Sequence, residues 1–300
     1  MKEMHEEKIK SGMVAIVGPP NVGKSTLLNA LLGQKISIVT PKPQTTRNRI
    51  LGILNGPLYQ IIMLDTPGLH EAGKPLNQEM VKIAISTLSE VDAILFLVDA
   101  SQPGPEKQKK TVDYLAGSTC PAILVLNKTD LLKKNEILPL IEKYSSLYPF
   151  TAVVPISALK SSGTDDLLQE LVRILPAGPR LYPEDIPTDA TERFIVGEII
   201  REKIFLLTGQ EVPYSTAVVV ESFREKEDKS LITIHATIIV EKSSQKAIII
   251  GKKGSKLQQI GKQSRHDIEH LLDQRVLLKL WVKVHKNWTK DMRFIRDLGL

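Results

Sequence analysis

Residues 18–25 carry glycine, lysine and serine at a spacing that suits phosphate binding. Their sequence, GPPNVGKS, fits the pattern G-x-x-x-x-G-K-[S/T]. The two glycines let the backbone turn tightly, so that several N–H groups point at phosphate oxygens. Lys24 is expected to reach the β- and γ-phosphates, and the Ser25 hydroxyl to bind Mg²⁺. The residues predicted to contact a nucleotide here are Gly18, Pro20, Asn21, Val22, Gly23, Lys24, Ser25 and Thr26.

Residues 127–130, with the sequence NKTD, carry groups that distinguish guanine from adenine. The Asp130 carboxylate can accept from both N1–H and the exocyclic amine of guanine. Adenine offers neither donor there, so an unpaired buried carboxylate would penalise it, which argues against the alternative of an ATPase. The Lys128 stem can lie along the base face. The predicted guanine contacts are Asn127, Lys128, Asp130 and a backbone N–H within Ser157, Ala158 and Leu159.

Residues 65–68, with the sequence DTPG, supply a carboxylate and a glycine to the same predicted site. Asp65 ends an apolar strand, from where it can hold Mg²⁺ through water. Gly68 has no Cβ, so its N–H can approach the γ-phosphate. The next residue is Leu69, whose aliphatic side chain cannot orient water by hydrogen bonding. We therefore predict a GTP site with slow intrinsic hydrolysis.

Short apolar runs precede these motifs and are predicted to be buried strands that position them. The runs are residues 13–17, 59–64, 122–126 and 152–156, and a helix is predicted over residues 25–32. Strands and helices alternate up to residue 176, which is typical of a parallel α/β sheet. Proline and glycine then concentrate between residues 176 and 187, which predicts a linker.

The C-terminal third has a different order of elements and a second glycine-containing loop. The expected order after residue 190 is α-β-β-α-α-β, and residues 251–254 have the sequence GKKG between the two middle helices. Such a G-X-X-G loop in this order is typical of a type II KH domain, which clamps about four single-stranded nucleotides. The residues predicted to contact RNA are Lys246, Ile249, Ile250, Gly251, Lys252, Lys253, Gly254, Lys256 and Leu257.

Charge separates the two parts of the chain. The whole chain has a net charge of +6, whereas residues 242–296 contain 14 Lys and Arg and 4 acidic residues. A basic module of this kind indicates a polyanionic partner. RNA fits better than double-stranded DNA because the elements offer no groove-reading helix. An anionic membrane surface is the competing partner, which the basic patch alone does not exclude.

The order of these motifs resembles a translation-factor-type GTPase domain of the P-loop class. Residues 43–49, with the sequence PQTTRNR, look like switch I of the Era family. Together with the KH loop, the resemblance to this family covers residues 13–298. It implies an α/β P-loop GTPase domain with a mixed, mostly parallel sheet, followed by an α+β type II KH domain. The predicted bounds are a tail at 1–12, a GTPase domain at 13–176, a linker at 177–189 and a KH domain at 190–300.

The resemblance also implies roles for individual residues. Thr46 would ligate Mg²⁺ when GTP is bound, with Thr45 as the second choice. Asn21 would help to hold a monovalent cation such as K⁺, which can do the electrostatic work of an arginine finger; the alternative is that Asn21 only shapes the loop. The magnesium ligands implied are Ser25, Thr46 and, through water, Asp65. The residues implied in hydrolysis are Asn21, Lys24, Thr46 and Gly68.

The family's role is to bind the 3′ end of small-subunit (16S) ribosomal RNA and to assist assembly of the 30S subunit. By this resemblance, the KH domain of the present chain would hold or release RNA according to whether GTP or GDP is bound. Two alternatives stay open: an RNA chaperone for which GTP hydrolysis is only a slow timer, and a membrane-associated signalling GTPase that uses its basic face for anionic lipid.

Composition limits the remaining possibilities. A chain of 300 residues suits two domains, and its single cysteine, Cys120, excludes internal disulfides and a multi-cysteine metal site. The charged start of the chain lacks an apolar signal segment, and the apolar run at residues 93–98 is too short to span a bilayer. We therefore expect a cytoplasmic protein, with peripheral membrane contact left open. A monomer is expected, since neither a coiled coil nor a symmetric patch is evident.

Overall fold

The protein, studied as a computed structural model, is described over residues 9–69, 75–102, 104–209, 211–226 and 230–299. It divides into two compact units. The first comprises the described residues of 1–37, 46–72 and 80–189, and the second those of 38–45, 73–79 and 190–300. Each unit has its own hydrophobic core.

Residues 9–178 alternate strands and helices, as the sequence predicts. The sheet has the strand order β2-β3-β1-β4-β5-β6, with β7 paired to β1. Pairing is parallel except for β2 with β3 and β7 with β1, so the predicted mixed, mostly parallel sheet is confirmed. The elements are β1 (Ile9–Val17), α1 (Lys24–Leu32), β2 (Ile50–Gly56), β3 (Tyr59–Asp65), α2 (Pro75–Thr87), β4 (Ala93–Asp99), α3 (Lys109–Val112), β5 (Ala122–Asn127), α4 (Lys134–Ser145), β6 (Ala152–Pro155), α5 (Thr164–Ile174) and β7 (Ala177–Gly178).

The central strands are continuous apolar runs because both faces of the sheet are covered. Every residue of β4 and of β5 is buried. In β4 and β5 the one polar residue is the last, Asp99 or Asn127, and β3 likewise ends at Asp65. Since β1, β3, β4 and β5 are parallel, these ends lie along one edge of the sheet, which is where ligands bind in open α/β folds.

Two sequence predictions differ from the structure at the limits of this unit. Strand β1 begins at Ile9 rather than Met13, so residues 9–12 are not part of a tail. The predicted linker at 177–189 does not leave the first unit, because its backbone packs along β2 and β3. The Pro187 carbonyl accepts from Ile53 N–H (2.8 Å), and the buried Gln60 side chain bonds to the backbone of residues 181 and 182.

The second unit packs helices on one face of a three-stranded sheet. The strand order is β10-β9-β8, with β10 parallel and β8 antiparallel to β9. This is the predicted type II KH order, and it confirms the second part of the fold class. The elements are α6 (Glu192–Leu207), β8 (Thr216–Glu225), β9 (Ile232–Val240), α7 (Ser243–Ile250), α8 (Ser255–Leu272), β10 (Val276–Val284) and α9 (Met292–Asp297).

Side-chain alternation on β10 separates a core face from an outer face. Residues at even positions, such as Leu278 and Leu280, pack against the core of the unit, whereas Leu277, Lys279, Trp281 and Lys283 at odd positions are exposed. This is the period-2 pattern of a strand that is covered on one side only. The structure of this unit therefore leaves one face of an edge strand open to solvent.

Candidate functional site

The phosphate loop connects β1 to α1, in the strand–loop–helix context that the motif requires. Gly18 and Gly23 have φ angles of 147° and 100°, which side chains with a Cβ rarely adopt. A Cβ on Gly18 would lie 2.3 Å from the Leu97 carbonyl oxygen. The backbone can therefore take this turn only with glycine at this position.

Lys24 folds back over the phosphate loop. Its Nζ donates to the carbonyl oxygens of Gly18 (3.2 Å) and Pro19 (2.9 Å). Burial lowers the pKa of Lys24 from 10.5 to about 8, an effect that the negative charge of Asp65 partly opposes. A phosphate at this position would offer the buried ammonium group stronger, charged acceptors than these carbonyl oxygens.

Ser25, Thr46 and Asp65 bring their oxygen atoms together at the start of α1. Ser25 Oγ donates to Asp65 Oδ2 (2.5 Å) and lies 2.8 Å from Thr46 Oγ1. Ser37, which the sequence analysis did not identify, also donates to Asp65 Oδ2 (2.8 Å). Asp65 is fully buried, and its Oδ1 has no hydrogen-bond partner in the described structure.

This set of atoms fits a hard cation. Mg²⁺ prefers oxygen ligands, and a buried carboxylate oxygen without a donor is a costly arrangement that a bound cation or its water would relieve. Burial raises the pKa of Asp65, while hydrogen bonds from Ser25, Ser37 and Thr46 and the charge of Lys24 act in the opposite direction. Ser25, Thr46 and Asp65 are therefore the residues that would hold Mg²⁺.

The two neighbouring threonines have different surroundings. Thr46 is buried, and its hydroxyl lies beside Ser25. Thr45 instead donates to the Lys42 carbonyl oxygen (2.8 Å) and lies 2.6 Å from Thr40 Oγ1. Thr45 belongs to residues 38–45, which are part of the second unit. In that unit the Arg201 guanidinium donates to the Thr45 carbonyl oxygen. This geometry favours Thr46 over Thr45 as the magnesium ligand.

Gly68 and Leu69 lie against the phosphate loop. The Leu69 N–H donates to the Gly18 carbonyl oxygen (3.0 Å). A Cβ on Gly68 would lie 2.8 Å from Pro20 N, so the close approach of the two backbones requires glycine. The Leu69 side chain is only 2% exposed and packs in the sheet core. It is therefore turned away from solvent as well as chemically unable to orient water.

Asn127 joins three loops at the other end of the site. Its Nδ2 donates to the Val22 carbonyl oxygen in the phosphate loop (2.7 Å), and its Oδ1 accepts from Ala158 N–H (2.9 Å). The side chain is buried. Asn127 therefore holds the phosphate loop and the turn at residues 157–159 in register, and a guanine oxygen at Ala158 would share that N–H with it.

Lys128 and Asp130 are placed by the backbone after β5. Lys128 has a φ of 67°, and its Nζ forms an ion pair with Asp99 Oδ2 (2.6 Å). Asp130 is exposed, and its Oδ1 accepts from Ser157 Oγ (2.6 Å). Sequence analysis missed Asp99; the signal was its position at the end of the apolar run 93–98, equivalent to that of Asp65 after β3.

The GKKG loop connects α7 to α8 in the second unit. Gly251 and Gly254 have φ angles of 72° and 81°, and a Cβ on Gly251 would lie 2.6 Å from the Lys256 Cβ. The side chains of Lys252 and Lys253 are exposed. The loop therefore presents two positive charges on a backbone whose glycines allow close approach.

Two of the predicted RNA contacts, Ile249 and Lys256, have surroundings that the sequence did not indicate. Ile249 is fully buried in the core of the second unit, whereas its neighbour Ile248 is 46% exposed. The helical turn of α7 directs the two side chains to different faces, which a contiguous apolar run does not reveal.

Lys256 donates from Nζ to the Leu207 carbonyl oxygen (3.0 Å), where it satisfies the C-terminal end of α6. Lys246, Ile250 and Leu257 are partly exposed, as an RNA contact requires.

A groove of about 820 Å³ begins at the GKKG loop and runs between α8 and β10. It combines basic, amide and apolar side chains, which suits nucleotide phosphates and bases. Most of its lining residues were not predicted, because their proximity depends on how α8 packs against β10. They include Gln258, Lys262, Arg265, Leu278 and Leu280, beside the predicted Gly254 and Leu257.

Two kinds of feature are absent from the described residues. No helix among them is long and apolar enough to cross a bilayer. They also contain no group of three or more His, Cys, Asp or Glu side chains that could hold a metal ion. The oxygen cluster at Ser25, Thr46 and Asp65 is a different kind of site, since it has a single carboxylate and two hydroxyl groups.

Two family models match the chain. The model described as a 50S ribosome-binding GTPase matches residues 13–128. The model described as a KH domain matches residues 211–289. The first range includes the phosphate loop and Asp65, and the second includes the GKKG loop.

Relatives named GTPase Era match over almost the whole chain. The protein from Geobacter metallireducens is 52% identical over 296 residues, which is 99% of each chain. The protein from Lacticaseibacillus paracasei is 50% identical over 289 residues, which is 96% of each chain. Both matches therefore extend across both units.

Two solved structures are similar over the same length. An Era variant from Aquifex aeolicus bound to GDP and AlF₄⁻ has a TM-score of 0.93 and 43% identity, over 97% of this chain and 99% of that one. Era in complex with MgGDPNP and nucleotides 1506–1542 of 16S ribosomal RNA has a TM-score of 0.92 and 44% identity, with the same coverage.

Proposed function

The chain belongs to the Era family of GTPases, and from this we propose that it binds the 3′ end of 16S ribosomal RNA and assists assembly of the 30S subunit, with RNA binding controlled by the bound nucleotide. One observation carries the proposal. The chain combines a GKKG loop that borders a groove with a phosphate loop and an NKTD motif of the kind that binds guanine. The solved Era complex with 16S ribosomal RNA, at 44% identity, supports this choice of RNA.

We assign the nucleotide-site residues as follows. Lys24 and the backbone of residues 18–26 hold the phosphates, while Ser25, Thr46 and Asp65 hold Mg²⁺. Asp130 selects guanine, and Asn127 keeps the base-binding turn against the phosphate loop. The solved Era structures with GDP–AlF₄⁻ and MgGDPNP support the ligands GTP, GDP and Mg²⁺.

GTP binding would act on switch I through Thr46. When GTP is replaced by GDP, the link between Ser25, Mg²⁺ and Thr46 loses its γ-phosphate partner, and the switch is released. Thr46 directly follows the segment 38–45, which belongs to the second unit with the KH elements. An ordered or released Thr46 can therefore affect the unit that we propose to bind RNA.

The expected result of this coupling is an RNA affinity about 5- to 150-fold higher with a non-hydrolysable GTP analogue than with GDP. It can be measured by fluorescence anisotropy with a labelled RNA of the 1506–1542 sequence at fixed salt concentration. Linkage requires the same RNA to favour GTP over GDP by the same factor. Equal RNA affinity of the two nucleotide complexes would refute nucleotide control but not RNA binding.

A matched pair of variants tests the RNA site itself. K252D/K253D reverses two exposed charges of the GKKG loop and is expected to weaken RNA binding on the order of 100-fold. K133D/K134D reverses two exposed charges in the first unit and should change it little. Equal effects of the two variants would reduce the KH assignment to general electrostatic attraction.

Hydrolysis is expected to be slow without a helper, because the aliphatic side chain of Leu69 cannot orient water. We propose that K⁺ accelerates it through Asn21, a phosphate-loop residue with a φ of 63°. Single-turnover rates should be on the order of tenfold higher in K⁺ than in Na⁺ buffer. N21A should remove the difference; equal rates in both buffers for the unmodified protein would contradict the proposal.

The first alternative is an RNA chaperone for which slow GTP hydrolysis matters little. In that case the bound nucleotide would not change the affinity for RNA, so the comparison of RNA affinity with a GTP analogue and with GDP decides between the two. The alternative of a membrane-associated signalling GTPase has no observation in its favour. The cytoplasmic location, the monomeric state and the peripheral membrane contact remain predictions, and so do the domain bounds apart from residues 9–12 and 177–189, where the structure differs.

A further inference from the structure

The outer face of the three-stranded sheet carries a second combination of aromatic and basic side chains. We define this outer sheet face by Lys279, Trp281 and Lys283 on β10, Thr233 and His235 on β9, and Glu221 on β8. In the register of the sheet, Lys279 pairs with His235 and Trp281 with Thr237. The helices α6, α7 and α8 pack on the opposite face, whose side chains form the core.

Trp281 is unusual for a tryptophan because it is 48% exposed. The other tryptophan, Trp288, is fully buried and donates from Nε1 to the Ser215 carbonyl oxygen. Trp281 has an aromatic neighbour in His235, at 5.2 Å between ring centroids and an interplanar angle of 59°. The tilt means that the two rings are not stacked face to face.

Lys279 and Lys283 lie on either side of Trp281 along the same strand face. Each is exposed and two residues away, or about 7 Å at the rise of a β-strand. The acid of the outer sheet face, Glu221 on β8, accepts from Thr237 Oγ1 (2.6 Å), and Thr237 is the register partner of Trp281. Two lysines and one hydrogen-bonded acid therefore surround Trp281, which leaves a net positive charge that complements a polyanion.

An exposed aromatic ring between two lysines is the combination that binds single-stranded nucleic acid. A base stacks on the ring, and the lysines contact the flanking phosphates. Because stacking needs only the π-face of a base, this kind of site tolerates many sequences.

The position of β10 identifies the strand that would occupy this face. It is the edge strand of the sheet, and its even-numbered residues Leu278 and Leu280 line the groove beside α8. Leu277 also lines the groove, and the odd-numbered residues that follow it, Lys279, Trp281 and Lys283, lie on the outer sheet face. An RNA strand in the groove can thus cross the free edge of β10 and continue onto Trp281 without meeting another strand.

We propose that the outer sheet face binds single-stranded RNA continuous with the segment held in the groove, with one base stacked on Trp281 and phosphates on Lys279 and Lys283. This inference rests on the proposed RNA-binding function but assigns a separate contact surface. It also predicts that the extra contact exists only for RNAs longer than the few nucleotides that the GKKG loop can clamp.

The first test compares W281A and W281F with a long and a short RNA probe. The long probe has the 1506–1542 sequence, and the short probe is a six-nucleotide piece of its 3′ end. W281A should weaken binding of the long probe about 5- to 150-fold, while W281F, which keeps a stacking surface, should stay within about threefold of the unmodified protein. Neither variant should change binding of the short probe.

Salt dependence and quenching provide readouts that a general loss of stability would not produce. K279Q/K283Q should lower the slope of log K against log[salt] for the long probe by about 1.4, whereas K133Q/K134Q should leave it unchanged.

Acrylamide quenches exposed tryptophan, so RNA should protect the fluorescence of the unmodified protein. In W281F only the buried Trp288 remains, and no protection should be seen. Thermal unfolding confirms that each variant is folded.

The outcomes separate this inference from the proposed function. If W281A binds the long probe as tightly as the unmodified protein while K252D/K253D fails to bind, the outer-face inference is wrong and the KH assignment stands. If K252D/K253D also binds normally, the proposed RNA-binding function fails. If vesicles of anionic phospholipid protect Trp281 from acrylamide and the long probe does not, the face is a membrane contact and the inference is overturned.

Discussion

An Asp130→Asn variant is expected to bind GTP about 10²- to 10⁴-fold more weakly and to bind xanthosine triphosphate instead. The Asp130 carboxylate would accept from N1–H and from the exocyclic amine of guanine. Hydrogen bonds to a charged group contribute about 1.5–3 kcal/mol each, so the loss of two corresponds to this range of affinity. In the variant, an amide NH₂ would face the guanine amine, so that two donors oppose each other.

Xanthine has a hydrogen-bond acceptor where guanine has a donor, so it should fit the Asn side chain. A change of base preference is therefore a stronger test than a loss of GTP affinity. Xanthine carries a carbonyl where guanine has the amine, and the Asn amide can donate to that oxygen while its own oxygen accepts N1–H. Competition of GTP, ATP and xanthosine triphosphate against a fluorescent nucleotide measures the three affinities. Equal loss for all three would mean that the variant has damaged the fold rather than the base contact.

Ser157→Ala is the matched control for this experiment. Ser157 Oγ donates to Asp130 Oδ1 at 2.6 Å, so this variant removes one positioning hydrogen bond and keeps the carboxylate. We expect a weaker GTP complex, by about 10-fold, with unchanged preference for guanine over xanthine. A change of preference in S157A would show that orientation, rather than charge, selects the base.

A Lys24→Met variant is expected to lose about 10²- to 10⁴-fold in GTP affinity and to be more stable than the unmodified protein when no nucleotide is present. The affinity loss follows from the charge-assisted hydrogen bonds that Lys24 would make to two phosphates. The stability gain follows from burial, which lowers the pKa of Lys24 from 10.5 to about 8. That shift of the pKa corresponds to about 3 kcal/mol of penalty for the charged group.

The pH dependence of the stability difference has a defined sign. Below about pH 8, Lys24 is protonated in both the folded and the unfolded chain, so the full penalty is present. Between pH 8 and 10.5 the folded state releases its proton first, and the unmodified protein gains stability relative to K24M as the pH rises.

Urea unfolding of nucleotide-free protein at pH 7, 8.5 and 9.5 measures this difference directly. K24M replaces the ammonium group with an apolar chain of similar length, so packing changes little. The result that would contradict the argument is a K24M variant less stable than the unmodified protein at pH 7. In that case the hydrogen bonds from Lys24 to the carbonyl oxygens of Gly18 and Pro19 would outweigh the cost of burying its charge.

Short motifs were predictable from the sequence because their chemistry depends on local order along the chain. Residues 18–25 need only a preceding strand and a following helix, and the structure has β1 and α1 there. The predicted C-terminal elements also match the structure in type and order. Their hydrophobic periods, 2 for strands and 3.6 for helices, are properties of neighbouring residues.

Contacts between distant residues were predicted less well. Asp99 and Ser37 were missed because their partners, Lys128 and Asp65, are 29 and 28 residues away in the chain. The hydrogen bond from Lys256 to the Leu207 carbonyl oxygen was not predicted, because it depends on how α8 packs beside α6. In each case the local sequence offers a charged or polar side chain and gives no sign of what it meets.

Sequence alone determined the ligand class of this protein, its two-domain order and the residue types at its phosphate, guanine and KH loops. Tertiary structure decided which threonine lies beside Ser25, which isoleucine of α7 is buried, and which face of β10 presents Trp281. The physical reason is that backbone turns and hydrophobic periods arise from adjacent residues. Burial, ion pairing and the orientation of a side chain arise only when separate elements pack together.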